Sequence, residues 1–248
     1  MYPENFARFY DTIYHSMRDE TDNKYFQDEI GRTSGKILEI GAGTGRLFMN
    51  AFNSGADIYG LDVSESMLNI LYRKLPDDQR YRVSQQNMVD FSHEHLFKLI
   101  LAPFRVIMHL LEKEDQIKAL NNVYDHLENN GRFIFDVFIP DLKQLIKGFE
   151  NYMDFEGEYA PGLKFRRFVT TKPELISQTI GINFHMEWEE EDGMKHDDWK
   201  LPLRFFFRYE LEHLVERSRF EKYEIFGDYH GNPLSSDSKE FVVVCHKG

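Results

Sequence analysis

A short apolar run that stops on glycines constrains this chain more than any other feature. Ile37-Leu-Glu-Ile-Gly-Ala-Gly-Thr-Gly-Arg46 reads as a compact β-strand, KILEI (36–40), that meets a glycine cluster and continues into a helical stretch at 45–53. A strand–loop–helix unit of this kind aims backbone N–H groups at a ligand. The glycines matter because a Cβ would block the close approach or forbid the turn. The dinucleotide fingerprint G-x-G-x-x-G wants a glycine at its sixth position, where this chain has Arg46, so a pyrophosphate-binding loop loses ground.

Strands and helices then alternate. DIYGL (57–61) reads as a second strand, YRVSQ (81–85) as a third, FKLILA (97–102) as a fourth and GRFIFDVF as a fifth. Between them lie a helix over Ser64–Lys74, opened by Ser64 and Glu65, and an amphipathic helix over Lys113–Leu127. The latter puts Ile117, Leu120, Tyr124 and Leu127 on one face, with Asn129-Asn130-Gly131 as its stop; another short helix precedes the first strand at 22–33. Apolar strands alternating with helices predict a parallel sheet covered on both faces. After Pro140 the rhythm changes. A short helix at 141–148 leads into KFRRFVTT, LISQTIGINFHMEWEEE and WKLPLRFFFRYE, whose period-two alternation and turn at Glu191-Asp192-Gly193 predict an antiparallel meander. A helix at 209–218 and the strands KYEIFGDY and FVVVCH complete the main sheet. The expected architecture is α/β: a seven-stranded, mostly parallel sheet with helices on both faces, plus an antiparallel β insertion acting as a lid. Residues 1–149 and 209–248 form the core and 150–208 the lid, within a single domain over 1–248.

Thirty basic side chains against 42 acidic ones give a net charge of −12, and no Lys/Arg block occurs, which argues against nucleic acid or an anionic membrane surface as partner. No apolar run approaches the roughly 20 residues that cross a bilayer; LILAPF is stopped by Arg105. MYPENFARFYD has no signal-peptide pattern, and the single cysteine, Cys245, suits a reducing compartment, so a cytoplasmic protein is expected. His93-Glu94-His95 lacks the four-residue spacing of helical zinc sites, and no metal is expected. Phe205-Phe206-Phe207 reads as lid core or a dimer contact, and Glu187–Asp192 as a solvated hairpin tip.

Two carboxylates sharpen the picture. Glu39 stands inside an apolar strand, where a buried charge is costly unless paired, so a ligand cation is an attractive partner. Asp62 ends the second strand, where a carboxylate can accept both hydroxyls of a ribose. E-I-G-A-G-T-G followed by G-L-D-V-S-E-S-M-L resembles motifs I and II of class I S-adenosylmethionine (SAM)-dependent methyltransferases. L-I-L-A-P-F-R-V-I-M-H-L-L and E-D-Q-I-K-A-L-N-N-V-Y-D-H-L-E-N-N-G-R-F-I-F-D-V-F are similar to the segments that follow in bacterial small-molecule members. The resemblance spans about residues 1–140 and resumes at 209–248. It implies SAM as cofactor, with Gly41, Ala42, Gly43, Thr44 and Gly45 around its methionine part and Glu39 orienting its ammonium. Asp62 would hold the ribose, with Val63 and Met67 beside the adenine; Asn87 and Met88 stand where the family often places an acid, and Ala102 completes the set. Phe9-Tyr10-Asp11-Thr12-Ile13-Tyr14 resembles the family's tyrosine-bearing entry segment, which puts Tyr14 with the cofactor and Tyr10 with the substrate.

Substrate is expected beyond the carboxyl ends of strands four and five, under the lid. Phe104, Arg105 and His109 follow strand four, Asp136 lies near the end of strand five, and Tyr159, Arg208 and Tyr229 could reach in from the lid and the last hairpin. His109 is the candidate general base, since an ordinary imidazole titrates near neutrality. Enzymes that methylate nucleobase amines or glutamine commonly carry Asn/Asp-Pro-Pro-Tyr where this chain has Ala-Pro-Phe-Arg (102–105), and Cys245 lies far from the position of a cytosine-C5 nucleophile. The expectation is methyl transfer to an amine or hydroxyl of a small molecule, an amino sugar among the candidates. The alternative is a non-catalytic SAM-binding sensor or assembly partner on the same scaffold. An NAD-dependent oxidoreductase comes third, opposed by Arg46 and the long insertion. The acidic, aromatic edge of the lid could pair two chains into a homodimer.

Overall fold

The computed structural model describes residues 2–17 and 20–248. Two helices, α1 (Glu4–Met17) and α2 (Thr21–Gly31), precede β1 (Ile37–Ile40), α3 (Arg46–Asn53), β2 (Ile58–Asp62), α4 (Glu65–Lys74), β3 (Val83–Gln85) and β4 (Phe97–Ala102). Then come α5 (Lys113–His126), β5 (Leu127–Phe138) and α6 (Leu142–Lys147). Four long strands follow, β6 (Tyr152–Ala160), β7 (Leu163–Glu174), β8 (Thr179–Glu190) and β9 (Gly193–Arg204), before α7 (Arg208–Glu216), β10 (Lys222–Phe226) and β11 (Glu240–His246).

The seven-stranded sheet runs β10-β11-β5-β4-β1-β2-β3, parallel throughout except for β11, which is antiparallel to both β5 and β10. Every residue of β1 is buried because neighbouring side chains point to opposite covered faces. Ile37 packs with Phe26, Phe48 and Leu71 of α2, α3 and α4, whereas Leu38 packs in the core that holds Leu120 and Val123 of α5 and Leu211 and Val215 of α7. The alternating β and α elements read from the sequence are all present.

The second sheet, β6-β7-β8-β9, is an antiparallel meander with its own apolar cluster. Phe6, Phe9 and Ile13 of α1 pack there against Phe165, Phe184, Met186, Trp188 and Trp199, so the first helix is shared between the two sheets rather than belonging to the main core. Among the described residues no helix is long and apolar enough to cross a membrane.

Three local readings are corrected. β6 went unread because it is an edge strand with solvent on much of both faces, which leaves YMDFEGEYA without an apolar period. Asn129-Asn130-Gly131 does not close α5. The helix ends at His126 so that Leu127 can extend into the core, and Asn130 (φ 57°) sits in an irregular step of β5, where pairing with β4 shifts register. Phe205 and Phe206 lie in the core beneath the seven-stranded sheet, not in the lid, because the chain dives from the end of β9 toward α7; Phe207 alone of the three is exposed.

Candidate active site

The glycine loop leaves β1 with its backbone held by β2: the amides of Gly41 and Ala42 both donate to the Leu61 carbonyl, at 2.7 and 3.0 Å. Gly41 has φ 77°, and a Cβ there would lie 2.4 Å from Cγ2 of Val106, so this position excludes any side chain on two independent grounds. Asp62 closes the loop from the other side. Its carboxylate accepts from the Gly43 amide (2.9 Å) and the Ser64 amide (2.8 Å), tying the loop to the start of α4. Burial raises the Asp62 pKa, with those amides pulling the other way. Glu39 is 1% exposed, and burial holds its carboxyl well above the usual range, opposed by Arg46 and reinforced by Asp62. Its Oε2 has no hydrogen-bond partner among the described residues. A buried carboxylate oxygen left bare is expensive unless something polar completes it.

A cavity of 330 Å³ opens above this loop. Gly41, Gly43, Asp62, Val63, Met67, Asn87, Met88, Tyr10, Phe104 and His109 all line it, so ten of the residues picked from the sequence share one wall system. Asn87 reaches the cavity with its Oδ1 already accepting from the Val89 amide (3.0 Å). His109 closes the turn Val106–His109, with its Nε2 3.4 Å from the Tyr2 hydroxyl; burial pushes its pKa down to about 4.

The other chosen residues lie off the cavity. Ala42, Thr44 and Gly45 build the loop from behind: Thr44 Oγ1 donates to Asp11 (2.5 Å), and Gly45, at φ 91°, starts α3. Ala102 is fully buried in β4, and Glu39 sits beneath the loop rather than on the cavity surface. Tyr14 lies off the cavity, where its hydroxyl accepts from Arg167 (3.4 Å). More of the expected substrate set lies away from the cavity. Arg105 turns to Glu240 (2.7 Å), Asp136 accepts from the Tyr229 hydroxyl (2.9 Å), Tyr159 donates to the Glu189 carbonyl and stands edge-on to Phe9, and Arg208 is an exposed partner of Glu212. Each is drawn away by a stronger local partner.

Sequence reasoning missed Tyr2, Val106, Trp199, Leu201 and Pro202, all of which line the cavity. Trp199 and Leu201 share one face of β9, so the alternation W-K-L in WKLPL carried a signal, but nothing local tells which face looks at the cavity. Arg46, noted only as a misfit, stacks its guanidinium 3.8 Å from the Phe104 ring centre and pairs with Asp22 (3.1 Å).

Residues 38–133, which hold the glycine loop, Asp62 and His109, match the family model of a methyltransferase domain. A protein of a Geobacillus species, named only as an unverified methyltransferase, is 29% identical over 139 residues, 54% of this chain and 56% of its own length. One from Bacillus subtilis is 25% identical over 135 residues, 54% of each. The chain thus spans about half the length of the curated relatives it matches. Solved structures match over nearly the full length. They include a SAM-dependent methyltransferase from Clostridium acetobutylicum (TM-score 0.79, 17% identity, 98% of both chains) and the sugar N-methyltransferase KedS8 from a Streptoalloteichus species (TM-score 0.75, 16% identity, 96% of this chain and 92% of that one). An amino pentose methyltransferase of Micromonospora echinaspora, CalS10, in a SAM-bound structure, matches at TM-score 0.71 and 15% identity, over 96% of both chains. The chain shares the class I fold of these solved SAM-dependent methyltransferases.

Proposed function

We propose that this chain is a SAM-dependent methyltransferase acting on the amino group of a small-molecule acceptor, with amino sugars the first class to test. The observation that carries the reading is a single cavity lined by the glycine loop and Asp62 and also by Tyr2, Phe104, His109, Trp199, Leu201 and Pro202. The glycine loop and Asp62 fit the cofactor. Glu39 has a bare buried oxygen behind the loop, Gly41 and Gly43 leave backbone open to close approach, and the Asp62 carboxylate retains lone pairs beyond the two that its amides use. Bound there, SAM supplies a methyl group already activated on a sulfonium for in-line displacement.

The protein's part is alignment and exclusion of water. Trp199, Leu201 and Pro202 reach the cavity from β9, which supports reading the four-stranded sheet as the lid of one domain. An attacking amine must bring a free lone pair. An imidazole held near pH 4 is uncharged at neutrality but takes up few protons, so His109 is read as a hydrogen-bonding group that orients a neutral amine rather than as a general base. The proton of the methylated ammonium then leaves to solvent. The structural likeness to a sugar N-methyltransferase and an amino pentose methyltransferase supports an amino sugar as acceptor class.

Incubation with SAM and a panel of amino sugars and simple hydroxyl compounds, with S-adenosylhomocysteine formation as readout, tests this. Turnover with amines supports the reading. Tight S-adenosylhomocysteine binding without turnover on any acceptor favours the non-catalytic sensor. Binding of NAD in place of the homocysteine compound sinks both.

A further inference from the structure

The loop after β4 carries Phe104 and Arg105 in succession at φ 60° and 69°, a left-handed region that residues other than glycine seldom adopt and pay to occupy. Such a pair persists only where its surroundings over-determine it. Arg105 donates from Nη2 to Oε1 of Glu240 on β11 (2.7 Å), and its amide lies 3.4 Å from Oδ1 of Asp136 on β5. Asp136 is fully buried, and its other oxygen accepts from the Tyr229 hydroxyl at 2.9 Å. Phe104 is gripped separately, between the Arg46 guanidinium and the edge of Phe26.

The turn downstream depends on this pair. The Met108 amide donates to the Arg105 carbonyl at 3.0 Å, which starts the turn that lays Val106 over Gly41 and delivers His109 into the cavity. None of Arg105, Asp136, Tyr229 and Glu240 lines that cavity. We propose that these four residues form a polar clamp that holds the Phe104–Arg105 turn in its strained form and thereby positions His109 on the acceptor wall. They are positioning residues, and the proposal rests on reading the cavity as the methyl-transfer site. Burial raises Glu240 to about 7 against the pull of Arg105, so its ionisation in this place is held chiefly by the arginine.

His109 itself reports the outcome, with no acceptor needed. Its imidazole is followed by NMR titration of histidine-labelled protein, assigned with His109→Gln. The titratable groups that share its cavity, Tyr2, Tyr10 and Asp62, stay unchanged in every variant. With the clamp released in Arg105→Ala, the turn relaxes toward solvent and the His109 pKa should rise by at least one unit toward the ordinary value of about 6.5. S-adenosylhomocysteine affinity should weaken as well, because the same turn seats Val106 on Gly41 of the glycine loop. Arg105→Lys, which can still reach Glu240, should restore most of the wild-type titration. Glu240→Gln gives a milder test in the same direction should Arg105→Ala fail to fold. An unchanged His109 titration in folded Arg105→Ala overturns the clamp. Wild-type protein that binds no S-adenosylhomocysteine overturns instead the methyl-transfer reading, and the His109 titration still decides the clamp.

Discussion

Cγ2 of Val106 occupies the space that a side chain on Gly41 would need, 2.4 Å from where its Cβ would stand. The loop after β4 is thereby seated directly on the loop after β1, and two segments of the cavity wall meet in one contact. A change at either residue should be felt by the other.

Gly41→Ala adds both the clash and an unfavourable positive φ. Overpacking and left-handed strain together should cost about 2–4 kcal/mol of stability and weaken S-adenosylhomocysteine binding. Adding Val106→Ala removes the clash but leaves the strain, so the double variant should recover part of the loss. Urea unfolding of the four proteins measures this, and additive losses would contradict the contact.

Asp62→Asn keeps the size of the side chain but offers one acceptor oxygen where two backbone amides now donate. One of the Gly43 and Ser64 amides would face an NH₂ group. Leaving a buried donor unmet costs about 1–3 kcal/mol, and S-adenosylhomocysteine affinity should fall at least about tenfold with the loop loosened. Titration calorimetry and thermal melts give both numbers. Wild-type affinity in this variant would remove Asp62 from the cofactor end.

For His109 the pKa is depressed from 6.5 to about 4 on folding, by burial. The folded state therefore resists protonation more than the unfolded chain does. The corresponding stability is fully present above about pH 6.5 and is lost as pH falls toward 4, by up to about 1.4 kcal/mol per unit in between. His109→Gln should lose less stability than wild type across that window and the same amount above it. Unfolding free energies at about pH 7, 5.5 and 4.5 make the comparison, and parallel curves would refute the shift.

Asp11 joins α1 to the glycine loop, accepting from Thr44 Oγ1 and from Lys74 Nζ (2.6 Å). Both charges are substantially exposed, so Asp11→Ala should change stability little. Because Tyr10 of the same helix lines the cavity, the expected effect is on exchange: S-adenosylhomocysteine should dissociate at least about threefold faster in stopped flow. An unchanged rate would mean that α1 does not cover the bound cofactor.

The main sheet was legible because its signals are local. Ile37, Leu38 and Ile40 are apolar on both faces because helices cover both faces, Ser64 caps α4 within its own turn, and a glycine loop announces its backbone by composition. Asp62, Val63 and Met67 follow from the same unit, since they sit within six residues of the strand end that places them. The rest of the cavity wall had no such signal. Tyr2, Val106 and Trp199 come from three distant segments, and only the packing of α1 on the second sheet brings the first and last to within 4.6 Å between ring centres.

By itself, then, the sequence determined the alternating core, the glycine loop and the carboxylate that closes it, because period, capping and glycine content act within a few residues. Only the tertiary structure decided which polar side chains meet the cavity. Arg105, Asp136 and Tyr229 stand at positions that point to substrate, yet Arg105 pairs with Glu240 of β11, and Asp136 of β5 and Tyr229 of the hairpin before β11 pair with each other. A charge leaving water pairs with whatever the fold places beside it, and that choice is made at long range, between segments the linear order keeps 135 and 93 residues apart.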